Sequence, residues 1–235
     1  MPVHDLHILF EDNHLLVVNK PARLSTMGAG AGQTTVLSLA KDYIKRKYSK
    51  PGNVYLGVVS RLDSLVTGVL VFARTSKAAA RLSEQFRGRD VAKTYWAMVE
   101  GLVAPAGRCT NWLLHDDQAE RVRVVGPNTP DAKQALLSYR RLATAGGNSL
   151  LEIELETGRK HQIRVQLADH GCPILGDRKY GSSRTFPVGI ALHARRLVIR
   201  HPISRDTLPL EAPLPSAWRS LALPDWDDSG RVRLQ

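Results

Sequence analysis

The run Leu151-Glu152-Ile153-Glu154-Leu155-Glu156 alternates apolar and acidic side chains without a break. Successive side chains of an extended strand point to opposite faces, so this pattern predicts a strand with one face buried and an acidic face in water. Other strands are predicted at Leu6 to Phe10 and Leu15 to Val18, joined across the turn-forming Glu11-Asp12-Asn13. Val54 to Val59, Val69 to Ala73, Lys93 to Val99 and Leu192 to Ile199 are apolar or β-branched and read the same way. The stretch from Gly101 to Pro130 is turn-rich, with short strand candidates around Trp112 and at Val122 to Val125. Helices are predicted from a Thr34 or Thr35 cap to about Tyr48, over Ser76 to Phe86, and after His161 with Ile163 and Leu167 inward, ending near Gly171. Strands outnumber helices and many are close in sequence. The fold class expected is α+β, with a mixed, largely antiparallel central sheet flanked by helices and loops.

The chain has 235 residues, 43% of them hydrophobic, enough for a substantial core in one large domain or two closely packed halves. We expect a single domain over 1–235 with its core at about 6–204, and a proline-containing tail over 205–235 that wraps the surface. No apolar run approaches the roughly 20 residues of a membrane span. Met1-Pro2-Val3-His4-Asp5 does not open a secretory signal, so a cytoplasmic protein is expected. Cys109 and Cys172 have neither CxxC nor zinc-site spacing and are expected to be reduced. The glycine-rich Gly28 to Gly32 lacks a GKS or GKT ending and the GxGxxG order, which argues against a phosphate-cradling nucleotide loop. Lys and Arg total 33 against 22 acidic residues, for a net charge of +11. That excess favours capture of a polyanion, with nucleic acid the leading partner. The predicted first helix adds to it, since Lys41, Lys45, Arg46, Lys47 and Lys50 crowd the side away from its apolar face; the run could touch RNA or simply be solvated.

Three clusters carry chemistry. Ser60 to Gly68 lies between two predicted buried strands and places Arg61 and Asp63 on either side of Leu62, whose apolar side chain can anchor the loop. An ionised Asp can act as nucleophile or base without a metal; the plainer alternatives are an Asx-turn or a surface salt bridge. In Thr157-Gly158-Arg159-Lys160-His161-Gln162-Ile163-Arg164 a glycine permits a sharp exit from a strand, and basic groups gather where a helix begins. His161 and Arg164 share a helical face there, able to grip a phosphate or flank a carboxylate. Cations are locally unfavourable at a helix start, which hints at a compensating anion. In Ala92-Lys93-Thr94-Tyr95-Trp96, Lys93 and Tyr95 alternate to one strand face and Trp96 to the other, so one face offers a stacking ring beside a cation.

Taken together, these segments resemble the RluA-type family of RNA pseudouridine synthases. The family's central motif, HRLDxxTSG, is matched by Ser60-Arg61-Leu62-Asp63-Ser64-Leu65-Val66-Thr67-Gly68. Further family-like segments follow in order: Asn19-Lys20-Pro21-Ala22, Ala92 to Tyr95, Gly158 to Ala168 with Gly171 and Pro173-Ile174, Gly176-Asp177, Tyr180-Gly181 and Leu192-His193-Ala194. The resemblance spans about residues 6 to 204. It implies the family's fold, with two halves around an RNA-sized cleft, and isomerisation of uridine to pseudouridine in structured RNA, ribosomal or transfer. It also implies that Asp63 is the catalytic carboxylate, that Arg61 helps displace the target base, that Tyr95 stacks on the flipped uracil, and that Arg164 pairs with Asp63. Lys93, Arg159, His161 and Ile163 would bind substrate, Ile163 lining the base pocket. No metal, nucleotide or redox cofactor is implied, and no obligate protein partner; a monomer is the default. Many relatives carry a small RNA-binding domain ahead of the catalytic part, and this chain is expected to begin at the catalytic region. It departs from the motif at Ser60, where the family has His, and at Val66-Thr67, where it has Thr-Ser. A non-catalytic RNA-binding protein on the same fold is therefore the rival reading.

Overall fold

In the computed structural model, residues 6–28, 32–221 and 223 are described. The expectations for the first five residues, for the middle of the glycine-rich loop and for the end of the tail lie outside them. The chain divides into two compact units, Met1–Val91 with Ala194–Pro213, and Ala92–His193 with Leu214–Gln235. No helix is long and apolar enough to cross a membrane among the described residues.

The first unit is built on hairpin pairing. Strands β1 (His7–Glu11) and β2 (Leu15–Lys20) pair antiparallel, and β2 pairs antiparallel with β4 (Thr67–Ala73), aligning Lys20 with Gly68. The late strand β10 (Leu192–Arg200) follows β4 in the sheet, and β11 (Thr207–Glu211) closes on β10. Helix α1 (Val36–Lys47) starts where the sequence indicates: Ser38 N donates to Thr35 Oγ1 (3.1 Å) while Thr35 N donates to Ser38 Oγ (2.9 Å), a reciprocal cap. Its buried residues Val36, Ala40 and Ile44 pack on one sheet face with Leu16, Val18, Leu70 and Phe72. Helix α2 (Ser76–Gly88) is capped by Thr75 and buries Ala78 and Leu82 against Leu15, Val17, Val69 and Val71 of the other face. Because β4 is covered on both sides, all its residues are buried, which is why it reads as an unbroken apolar run.

Strands β5 (Ala92–Glu100), β6 (Ala106–Asp116), β7 (Arg121–Val125), β8 (Lys133–Ala145) and β9 (Asn148–Leu155) form the sheet of the second unit, in the order β5-β9-β8-β6-β7 with every neighbour antiparallel. In β9 the predicted alternation holds: Leu151 and Ile153 are buried while Glu154 is exposed. Helix α3 (Gln162–Asp169) follows, its Val165 packing with Leu113, Val122, Ala135 and Tyr180. The α+β class and the dominance of antiparallel pairing are as expected.

Three details differ from the sequence reading. Val54 and Leu56 are buried, yet only Gly57–Val58 pairs as a strand (β3), against the end of β4. The turn-rich stretch contains the 11-residue β6, and β8, 13 residues long, was not anticipated. These strands pair along their whole length while many of their outward side chains are polar, so backbone hydrogen bonds rather than apolar patterning define them. The tail expected to wrap the surface enters the core: Leu210, Ala212, Leu214 and Trp218 are buried. Its prolines disrupt periodicity without preventing burial, since Pro209 sits in β11 at the sheet margin.

Candidate active site

The loop from β3 to β4 is fixed at several points. Leu62 packs into the core beneath α1, the anchoring role its apolar side chain suggested. One hydroxyl clamps its backbone from both sides: Leu62 N donates to Thr26 Oγ1 (3.2 Å) and Thr26 Oγ1 donates to Leu62 O (2.9 Å). Val66 N closes a turn onto Asp63 O at 3.1 Å. The Lys20 ammonium, fully buried at the end of β2, donates to Pro21 O (2.8 Å) and Ser64 O (3.1 Å). At the far end Gly68 has φ +116°, and a Cβ there would overlap the backbone of Ala194. Glycine is required on both counts. With the backbone immobilised, Arg61 is exposed and Asp63 partly buried. Of the departures from the family motif, Val66 and Thr67 are buried and Ser60 is partly exposed.

Lys20 is the residue of this loop environment that sequence reasoning passed over. Burial pushes its ammonium down to about 7, and the negative charge of Asp63 works in the opposite direction. Its signal was a lysine ending an apolar strand directly before proline, a place where a cation must find internal acceptors.

In the second unit, Lys93 and Tyr95 are both partly exposed on β5, while Trp96 is buried and its Nε1 donates to Glu152 Oε2 (3.4 Å). The Lys93 ammonium reaches the junction that precedes α3, lying 3.8 Å from where a Cβ on Gly158 would stand. That junction is braced by Gln162: its Oε1 accepts from Thr157 Oγ1 (2.8 Å) and Arg159 N (3.0 Å), and its Nε2 donates to Leu136 O (3.0 Å). Arg159 is exposed, with Nε donating to Gln134 O (3.1 Å). His161 stands at the helix start with φ 54° and bonds Tyr180 Oη through Nδ1 (2.8 Å). Ile163 is buried.

Arg164 lies deep in the unit, 4% exposed, and grips Asp177, 1% exposed, through two parallel bonds, Nε to Oδ2 at 2.7 Å and Nη2 to Oδ1 at 2.9 Å. Its guanidinium also sits over the Tyr180 ring, 5.0 Å from the centroid. Burial raises the Tyr180 phenol above its ordinary range. Arg164 thus finds an anionic partner inside the fold in Asp177. Asp177 and Tyr180 had been noted only as parts of family-like segments. Of the residues singled out in the sequence, Arg61 and Asp63 belong to the first unit; Lys93, Tyr95, Arg159, His161, Ile163 and Arg164 belong to the second.

An antiparallel α+β scaffold carrying a rigid Arg-Leu-Asp loop defines a class, the enzymes that convert uridine to pseudouridine within RNA. Residues 14–169 match the family described as RNA pseudouridylate synthase, and the chain belongs to that family. It is 36% identical over 222 residues to the RNA pseudouridine synthase YhcT of Bacillus subtilis, covering 92% of this chain and 71% of that one. It is 35% identical to the ribosomal large subunit pseudouridine synthase D of Xanthomonas campestris, covering 97% of this chain and 71% of its relative. Among solved structures, human RNA pseudouridylate synthase domain containing 4 superposes with a TM-score of 0.77 at 27% identity, over 92% of this chain and 93% of that one. The chain is an RNA-binding isomerase that produces pseudouridine.

Proposed function

We propose that the substrate is a uridine of large-subunit ribosomal RNA and that Asp63 is the catalytic carboxylate. The clamped loop carries this reading: Thr26 and Lys20 fix the backbone on both sides of Asp63, so its carboxylate is presented from a rigid base. The ribosomal target is supported by relatives of that name from several bacteria, including Xanthomonas campestris and Pseudomonas aeruginosa.

In this reading the target base first leaves its stack, at a cost of roughly a few kcal/mol that is least for a weakly paired nucleotide. Exposed Arg61 takes the vacated space. Asp63 then attacks ribose C1′ or removes the C2′ proton to give a glycal-like intermediate, and both routes break the bond from C1′ to uracil N1. The base turns, C1′ joins C5, the C5 proton leaves and N1 gains one, so oxidation state and composition are conserved. Tyr95 stacks on the turning uracil and Ile163 lines its pocket. Arg164 serves as the guanidinium partner of the catalytic carboxylate, and Lys93, Arg159 and His161 hold the surrounding RNA. We further propose that the protein acts as a cytoplasmic monomer.

Tritium placed at uridine C5 reports the reaction directly. Wild-type protein releases the label and Asp63→Asn reduces release to background while still binding RNA; undiminished release by the variant would sink the assignment. Mapping pseudouridine in total RNA of cells with and without the gene identifies the position. Loss confined to transfer RNA would replace the ribosomal target.

A further inference from the structure

The hydrogen bonds of the Tyr180 hydroxyl fix the protonation of its neighbour. Tyr180 is buried, so its polar group must be satisfied from within the fold. Its Oη accepts from Val122 N of β7 at 3.1 Å, and a backbone N–H can only donate. The same oxygen lies 2.8 Å from His161 Nδ1, and among the described residues no other acceptor bonds this hydroxyl. The phenol hydrogen therefore goes to His161 Nδ1.

A ring nitrogen that accepts carries no hydrogen, so the His161 imidazole is neutral and keeps its one hydrogen on Nε2. Protonation would place a hydrogen on Nδ1 facing Oη and leave the phenol hydrogen buried with no acceptor, a penalty the neutral ring avoids. The charges around it act in the same direction. The guanidiniums of Arg164 and of Arg121 on β7 lie 5.0 and 5.2 Å from the Tyr180 ring centre. Asp177, the carboxylate of the same turn, is committed to Arg164 through both oxygens. From β6, His115 bonds the Lys160 ammonium through Nε2 and Asp117 through Nδ1. A further cation at position 161 would be repelled by its neighbours.

We propose that Tyr180 is a positioning residue for RNA recognition: it holds His161 as a neutral imidazole with its hydrogen on Nε2, so that His161 meets RNA as a hydrogen-bond donor and not as a cation. The inference rests on the reading that His161 contacts RNA and adds the chemical form in which it does so. A neutral donor is selective by direction, since it needs an RNA oxygen in line with Nε2–H, whereas a cation is drawn to any nearby phosphate. It also keeps the contact constant between pH 6 and pH 8, the range in which an ordinary imidazole changes charge.

Nitrogen-15 NMR of the wild-type protein reads the tautomer directly and needs no variant. At pH 7 His161 Nδ1 gives the signal of a bare ring nitrogen and Nε2 that of a protonated one, with the neutral form still predominant at pH 6. A hydrogen on Nδ1, or ordinary titration near about 6.5, overturns the proposal. Binding of a short fluorescent structured RNA gives the second readout, as the affinity ratio of wild type to His161→Ala from pH 8 to pH 6 at fixed ionic strength. The ratio is measured again with both proteins carrying Tyr180→Phe, which keeps the ring and removes the hydroxyl. With the hydroxyl the ratio stays at about threefold or more at every pH, the size of one neutral hydrogen bond. Without it the ratio rises about threefold further on acidification, as the released imidazole charges and gains a phosphate. A ratio of one throughout, or the same response to pH with and without the hydroxyl, overturns the proposal. Tritium release separates this result from the enzyme assignment: a wild type that turns over RNA and fails these tests refutes the role of Tyr180 alone.

Discussion

Lys20 illustrates how much one side chain can set. Its ammonium is fully buried and bonds two carbonyls, one of them in the Arg61-Leu62-Asp63 loop at Ser64, and burial brings its titration to about 7. In the unfolded chain the same lysine keeps its proton to about 10.4. Between these values the unfolded state binds the extra proton, so this residue makes the protein more stable as pH rises from 7 toward 10, and its contribution levels off below 7. Urea unfolding of wild type and Lys20→Met at pH 6 to 9 is expected to show a stability difference constant at the acid end. Above pH 7 it changes in favour of the wild type by up to about 1.4 kcal/mol per pH unit. Parallel pH profiles would show that the lysine titrates normally. Residue identity was legible in the sequence for Arg61, Leu62 and Asp63; the partners that immobilise them, Thr26 and Lys20, were not, because each lies far away in sequence.

Helix α3 shows the limit of patterning at the scale of an element. Gln162, Ile163, Arg164, Val165, Gln166 and Leu167 are all buried, so no amphipathic stripe distinguishes its faces. Its polar members find partners one by one: Gln166 Nε2 donates to Asn111 Oδ1 (2.9 Å) and Ala135 O (3.1 Å) although its buried Oε1 meets no donor among the described residues, Gln162 braces the preceding junction, and Arg164 takes Asp177. Asp177→Asn takes the charge from the acceptor of two hydrogen bonds made by the buried Arg164 guanidinium, and is expected to lower unfolding stability by about 1.5–3 kcal/mol, read by urea unfolding. A loss below about 1 kcal/mol would mean that Arg164 does not depend on Asp177. The helix itself was foreseen, since Gly158 marks the strand exit and Ile163 and Leu167 its apolar spacing. The acceptors awaiting its polar side chains were not, because they are mainly strand carbonyls that no residue type announces.

Across the whole molecule the excess of positive charge, +11, acts through distance and salt rather than through any single contact. Raising salt from 50 to 200 mM is expected to weaken RNA binding at least about tenfold, while turnover at saturating RNA changes far less. Titration of a labelled RNA at several salt concentrations checks this, and a salt-independent Kd would show that charge is not what captures the substrate. The sequence by itself determined the class of fold, because strand alternation, turn residues and helix caps are local. It also determined the chemistry on offer, because Arg61 and Asp63 sit together in one short loop. Tertiary structure alone decided that Lys20 lies buried beneath that loop, that Asp177 holds Arg164, and that the tail with Trp218 enters the core. Those outcomes depend on which distant groups supply acceptors and volume once water is excluded, and a linear pattern does not encode that choice.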